Sequence, residues 1–155
     1  MPSQWIDLSS QGSGSKGAVY INAGWSYSLT GMYQVAPDRK WGFNVSAAIT
    51  GREGYPIPYY VGRVGGFNQG SVNIQATVDS DDFQNDDVQI VDLRLEKEFT
   101  VGGDVNFTIG VEAFNIFNES TVLQREHRLS RGNTNWVREI VSPRVFRVGA
   151  RFRFQ

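Results

Sequence analysis

The sequence predicts an all-β chain: an antiparallel up-and-down meander of about five long strands, part of a transmembrane β-barrel. Three observations predict it. Apolar and polar residues alternate with period two over five segments. Each segment spans about 11 to 16 residues, where a bilayer crossing takes ~9–11 tilted residues and globular strands usually run ~5–6. The connections alternate short, long, short, long, as periplasmic turns and extracellular loops do.

Residues 1–17 read as a flexible loop segment, carrying the small polar run SSQGSGSKG, and 18–155 as the barrel segment. The first predicted strand, Ala18 to Tyr33, sets Val19, Ile21, Ala23, Trp25, Tyr27 and Leu29 against Tyr20, Asn22, Gly24, Ser26, Ser28 and Thr30. Ala36-Pro37-Asp38-Arg39 makes a short turn. The second strand, Trp41 to Arg52, puts Trp41, Phe43, Val45, Ala47 and Ile49 on one face. A long connection, Glu53 to Asp87, precedes the third strand, Val88 to Phe99, in which Val91, Leu93 and Leu95 oppose Asp92, Arg94, Glu96 and Glu98. Gly102-Gly103 reads as a hairpin turn. The fourth strand, Val105 to Phe117, opposes Phe107, Ile109, Val111 and Ala113 to Asn106, Thr108, Gly110 and Glu112. After a second long connection, Asn118 to Ser142, the fifth strand runs from Pro143 to Phe154, with Phe146, Val148, Ala150, Phe152 and Phe154 opposite Arg147, Gly149, Arg151 and Arg153.

Periodicity alone fits either lipid or a second sheet against the apolar face; a soluble lectin-like sandwich is the alternative. Charge placement favours the barrel. Asp92, Arg94, Glu96, Glu112, Arg147, Arg151 and Arg153 share one face of three consecutive strands, which predicts a lumenal ion-pair ladder. Trp41, Phe99 and Phe154 would lie at one rim, as an aromatic girdle requires.

The composition excludes several chemistries. The net charge of −1 gives no basic excess for nucleic acid, and the absence of cysteine rules out disulfides and thiolate sites. His127, the single histidine, has no Ser-His-Asp arrangement or second metal ligand near it in sequence, so no catalysis and no cofactor are expected. The chain has no run of ~18 apolar residues, hence no membrane helix. Its start lacks a signal peptide, which predicts an intracellular protein or the tail of a longer one. In the acidic stretch, Asp79, Asp81 and Asp82, followed by Asp86 and Asp87, make a weak calcium candidate; Gln84 stands where an EF-hand loop needs glycine. Tyr55, Tyr59 and Tyr60, set among prolines, could grip a ligand or form a rigid loop base.

The terminal segment SPRVFRVGARFRFQ is an alternating strand that closes on aromatics, the form of the outer-membrane assembly signal, here carried by Phe146, Val148, Ala150, Phe152 and Phe154. Upstream lie DLRLEKEF (Asp92 to Phe99), a glycine turn and VEAFNIFN (Val111 to Asn118). This order closely resembles the C-terminal end of TonB-dependent receptors, of the type with a carboxypeptidase-regulatory-like N-terminal domain. The likeness runs from about Trp41 onward. Gln155 departs from it, since the signal normally ends on the aromatic itself. The resemblance implies a place in the outer membrane of a Gram-negative bacterium, within a roughly 22-stranded plugged barrel. It also implies membrane lipid, the remaining strands and plug, the assembly machinery and an energising TonB complex as partners. These residues would hold about five of the strands, which cannot close alone and leave both edges unpaired.

Overall fold

The computed structural model describes residues 23–65, 71–77, 82–100 and 105–154. Nine strands are formed: β1 (Ser26–Val35), β2 (Phe43–Arg52), β3 (Tyr60–Gly65), β4 (Ser71–Gln75), β5 (Val88–Thr100), β6 (Val105–Phe114), β7 (Val122–Arg125), β8 (Val137–Ile140) and β9 (Val145–Phe154). No helix is present among the described residues.

Five of the strands make one antiparallel sheet in the order β1-β2-β5-β6-β9, so β1 and β9 are its edges. This is the expected meander, with the two long connections inserted between neighbours. The described residues form two compact units. The sheet unit comprises 26–52, 89–100, 105–120 and 142–154; the other comprises 23–25, 53–65, 71–77, 82–88 and 121–141.

In the sheet unit the register keeps like faces together. Leu29 stands opposite Ile49, and Tyr33 opposite Val45. Leu95 pairs with Val111, and Val111 with Val148. On the same face Phe99, Phe107 and Phe152 form a row, with ring centroids 6.1 Å and 4.6 Å apart. This apolar face is not a core. Leu29, Leu95, Val148 and Phe154 are 63, 50, 73 and 75% exposed. The buried apolar side chains among the described residues are Ile57 with Pro56 and Pro58 beside it, Val88 and Val141, none of them from the middle of that face.

Tyr27 reaches across β2 to accept a hydrogen bond from Gln89 Nε2 at 2.7 Å. It can do so because its partner on β2 is Gly51. A Cβ at Gly51 would come within 2.5 Å of the tyrosine ring. Gly51→Val should therefore displace the ring, with loss of about 1 kcal/mol in urea unfolding.

The strand limits differ from the sequence expectation at several ends. The first strand starts at Ser26, the partner of Arg52 at the end of β2; beyond it a single backbone bond follows, Glu53 N–H to Trp25 C=O at 3.1 Å. Ala18 to Asn22, the 1–17 segment and the Gly102-Gly103 turn lie outside the described residues. The second starts at Phe43 rather than Trp41. A tight turn absorbs the preceding residues: Arg39 N–H donates to Ala36 C=O (3.0 Å), and Gly42 N–H to Arg39 C=O (2.8 Å). The fourth stops at Phe114, not Phe117, because Asn115 takes a left-handed φ of 50° that strand geometry cannot continue. The fifth begins at Val145, beyond Pro143, which has no N–H to give a ladder.

The long connections are not plain loops. Each contains a small antiparallel hairpin, β3–β4 and β7–β8, interrupted by register shifts. In the second unit the segment from Gly54 to Tyr60 is the spine. Ile57 N–H donates to Phe83 C=O, Asn85 N–H to Tyr55 C=O, and Tyr60 N–H to His127 C=O. Pro56 and Tyr60 form bridges to Gln84 and Arg128. Gly54 is obligatory, since a Cβ there would collide with the Asn85 carbonyl.

Candidate functional site

The polar face of the sheet holds the predicted charges, and the register decides which of them meet. Arg94, Glu112 and Arg147 fall in one row across β5, β6 and β9. Arg94 Nη1 lies 3.0 Å from Glu112 Oε1, and its Nη2 3.0 Å from Glu96 Oε2. Arg147 bonds the other Glu112 oxygen. The Arg147 guanidinium also stands 5.4 Å from the centre of the Phe114 ring, a cation–π contact. The ladder therefore exists as a chain of four: Glu96, Arg94, Glu112, Arg147.

Three residues expected in it do other things. Asp92 accepts the Asn115 backbone N–H at 2.8 Å and so caps the end of β6. Arg151 stands opposite Thr108 and Arg153 opposite Asn106, so neither meets a carboxylate among the described residues. The one-residue alternation is right for both arginines; the acid in the Arg151 row, Glu98, stands one strand farther off beyond Thr108, and the Arg153 row holds Asn106 and Thr100.

Between the ion-pair row and the Thr108–Arg151 row, Gly110 faces Gly149. Around this pair of glycines Arg94, Glu96, Thr108, Glu112, Arg147 and Arg151 line a depression of about 220 Å³. A second hollow, toward the short-turn end, is lined by Gln34, Arg39, Lys40, Asn44, Glu96 and Glu98 among others. Glu96 belongs to both, while Val35, Phe43 and Phe99 also line the second.

Two features escaped the sequence reading. Lys97 belongs to the apolar row, opposite Ile109. Its ammonium is satisfied by the carbonyls of Lys40 and Gly42, at 2.8 and 2.9 Å, and lies 5.1 Å from the Phe99 ring centre. Asn115, 4% exposed, ties β6 to the start of β9. Its Nδ2 donates to Glu119 C=O and Ser142 C=O, both at 2.8 Å, and its Oδ1 accepts Glu119 N–H at 2.7 Å. Asn118, φ 56°, accepts the Arg144 N–H at 3.0 Å. The F-N-I-F-N motif turns the chain, as its asparagines suggest.

The assembly-signal side chains Phe146, Val148, Ala150, Phe152 and Phe154 share the apolar face of β9 with Ala113, Val111, Ile109, Phe107 and Val105 as partners. Tyr55, Tyr59 and Tyr60 lie in the spine of the second unit. Tyr59 donates its hydroxyl to Asn135 Oδ1 at 3.0 Å and packs edge-on against Phe83, while Tyr60 lies 5.2 Å from His127. Tyr59 and Tyr60 are thus in contact with neighbours within the second unit. Asp79 and Asp81 lie outside the described residues, and Asp82 joins no metal-ligand cluster among the described ones. Asp87 accepts the Gly54 N–H at 3.1 Å.

In the β7–β8 hairpin Glu126 gathers cations: Arg138 and Arg131 reach Oε2, and the Arg128 N–H reaches Oε1. Burial raises its carboxyl, but the hydrogen bonds from Arg138 and Arg128, with the charges of Arg138 and Arg131, outweigh that and hold it below the ordinary value of 4.5. A depressed carboxylate stabilises above its unfolded value and loses that contribution as pH falls through the folded one. Acidification below 4.5 should thus lower the protection factors of the Glu126 and Asn135 amides, taken relative to intrinsic exchange at each pH, in the wild type, and Glu126→Gln should not show that loss of protection.

No family model matches the chain, and neither a curated protein nor a solved structure does so.

Proposed function

We propose that this chain is the C-terminal barrel segment of an outer-membrane TonB-dependent receptor, a transporter part rather than an enzyme, whose terminal strand serves as an assembly signal. The observation that carries the reading is the exposed apolar face of the five-stranded sheet. Soluble monomers rarely expose contiguous apolar patches beyond a few hundred Å², and this one runs across neighbouring strands, with aromatics toward its short-turn end. Hydrocarbon would cover it at no cost, while the opposite face, with its ion pairs, would line a polar lumen. The open edges β1 and β9 call for partner strands, since unpaired ladder groups are costly in lipid. Those strands, the plug, the assembly machinery and the energising complex are the proposed partners, with outer-membrane lipid and without nucleic acid.

Detergent phase partitioning tests this directly. The whole chain should pass into the detergent-rich phase and stay there after washing. Recovery as a monomer from buffer alone would favour the lectin-like sandwich and overturn the barrel.

A further inference from the structure

We infer that the depression floored by Gly110 and Gly149 is a binding site for one anionic group of a small solute, a carboxylate or a phosphate monoester. The glycines are the first observation. They are direct cross-strand partners on the polar face. A Cβ at Gly149 would meet nothing within 4 Å, and at Gly110 only the Leu95 carbonyl at 3.8 Å. Packing therefore does not demand glycine at either position. What the pair does is keep a hollow open in a wall that carries long side chains on every side.

Charge is the second observation. Three arginines, Arg94, Arg147 and Arg151, line the hollow against two glutamates. Both glutamates are already engaged: Glu96 by Arg94, and Glu112 by Arg94 and Arg147. Arg151 stands opposite Thr108, which separates it from Glu98 in the same row, and it forms no ion pair among the described residues. Its guanidinium offers a planar fork suited to carboxylate or phosphate oxygens, and the Thr108 hydroxyl lines the same hollow. The pinned Glu112 keeps Arg147 from folding into the space. The site is thus a pre-held cavity with one unspent cation, and a volume of about 220 Å³ fits a small anionic group.

The inference uses the polar face alone and does not require that face to line a membrane lumen. The test is titration of the full chain, labelled at glycine nitrogen and held in detergent micelles, with inorganic phosphate and with acetate. Saturable shifts of the Gly110 and Gly149 amides are expected. Arg151→Gln should weaken binding about tenfold, the loss of one charged hydrogen-bond partner. Gly149→Leu should abolish binding by filling the hollow, and Arg153→Gln, in the next row, should leave it unchanged. No saturable shift with either anion, or equal weakening by the Arg151 and Arg153 variants, would overturn the site. If binding holds while the chain fails to partition into detergent, the barrel reading falls and the anion site stands.

Discussion

Asn115→Ala should cost the sheet roughly 3–5 kcal/mol, one of the two largest single-residue losses expected in this chain. Asn115 is 4% exposed, and its amide holds three backbone groups: the carbonyls of Glu119 and Ser142 and the N–H of Glu119. Alanine leaves all three short of a partner, and each buried orphan costs about 1–3 kcal/mol. The backbone adds to this, because a φ of 50° strains a residue with a Cβ by about 1–2 kcal/mol, and asparagine tolerates that region better than alanine. Asn115→Gly relieves the strain but not the lost hydrogen bonds, so it should be about 1 kcal/mol less damaging than alanine. Urea unfolding of the three proteins in the same detergent measures the order. A loss below about 1 kcal/mol for alanine would mean that water replaces the amide without cost.

Val111→Lys should cost about 2–4 kcal/mol in lipid, the penalty for a cation at the bilayer midplane on a barrel's outer face. Val111 lies near the middle of β6, between Leu95 and Val148, and is 41% exposed. The effect should be confined to one face. Thr108→Lys, on the polar face beside Arg151, should change stability by less than about 1 kcal/mol, as surface substitutions do. Refolding yields in vesicles against urea give both values. In buffer without lipid the lysine at 111 should instead reduce aggregation, since it breaks an exposed apolar patch. Equal tolerance of the two lysines in vesicles would contradict the assignment of the apolar face to lipid.

The five long strands were legible because alternation is a local property. Every residue from Leu93 to Leu95 or from Phe107 to Ala113 declares its face by type alone. Register is not local, and this is where the reading of the site was partial. Arg147, Arg151 and Arg153 all belong to the polar face, but only the register shows that Glu112 meets the first while Thr108 and Asn106 meet the others. Asp92 lies on the polar face that its type predicts but accepts the Asn115 N–H, because the turn that brings this group to it follows a strand end that no periodicity marks. Lys97 breaks the apolar row of β5 for a reason that lies far along the chain, the carbonyls of Lys40 and Gly42. The hairpins β3–β4 and β7–β8 are short and interrupted by register shifts, so they leave no sustained alternation to read.

The chain has no cysteine, so single cysteines introduced along β6 can carry nitroxide labels without background. Collision with oxygen, which dissolves in hydrocarbon, and with a water-soluble nickel complex can then be measured at each position from 106 to 113 in vesicles. A lipid-facing apolar stripe predicts oxygen maxima at 107, 109, 111 and 113 and nickel maxima at 106, 108, 110 and 112. Protection of the odd positions from both reagents would show them packed against protein, and a bilayer-spanning wall would then be the wrong description of this sheet.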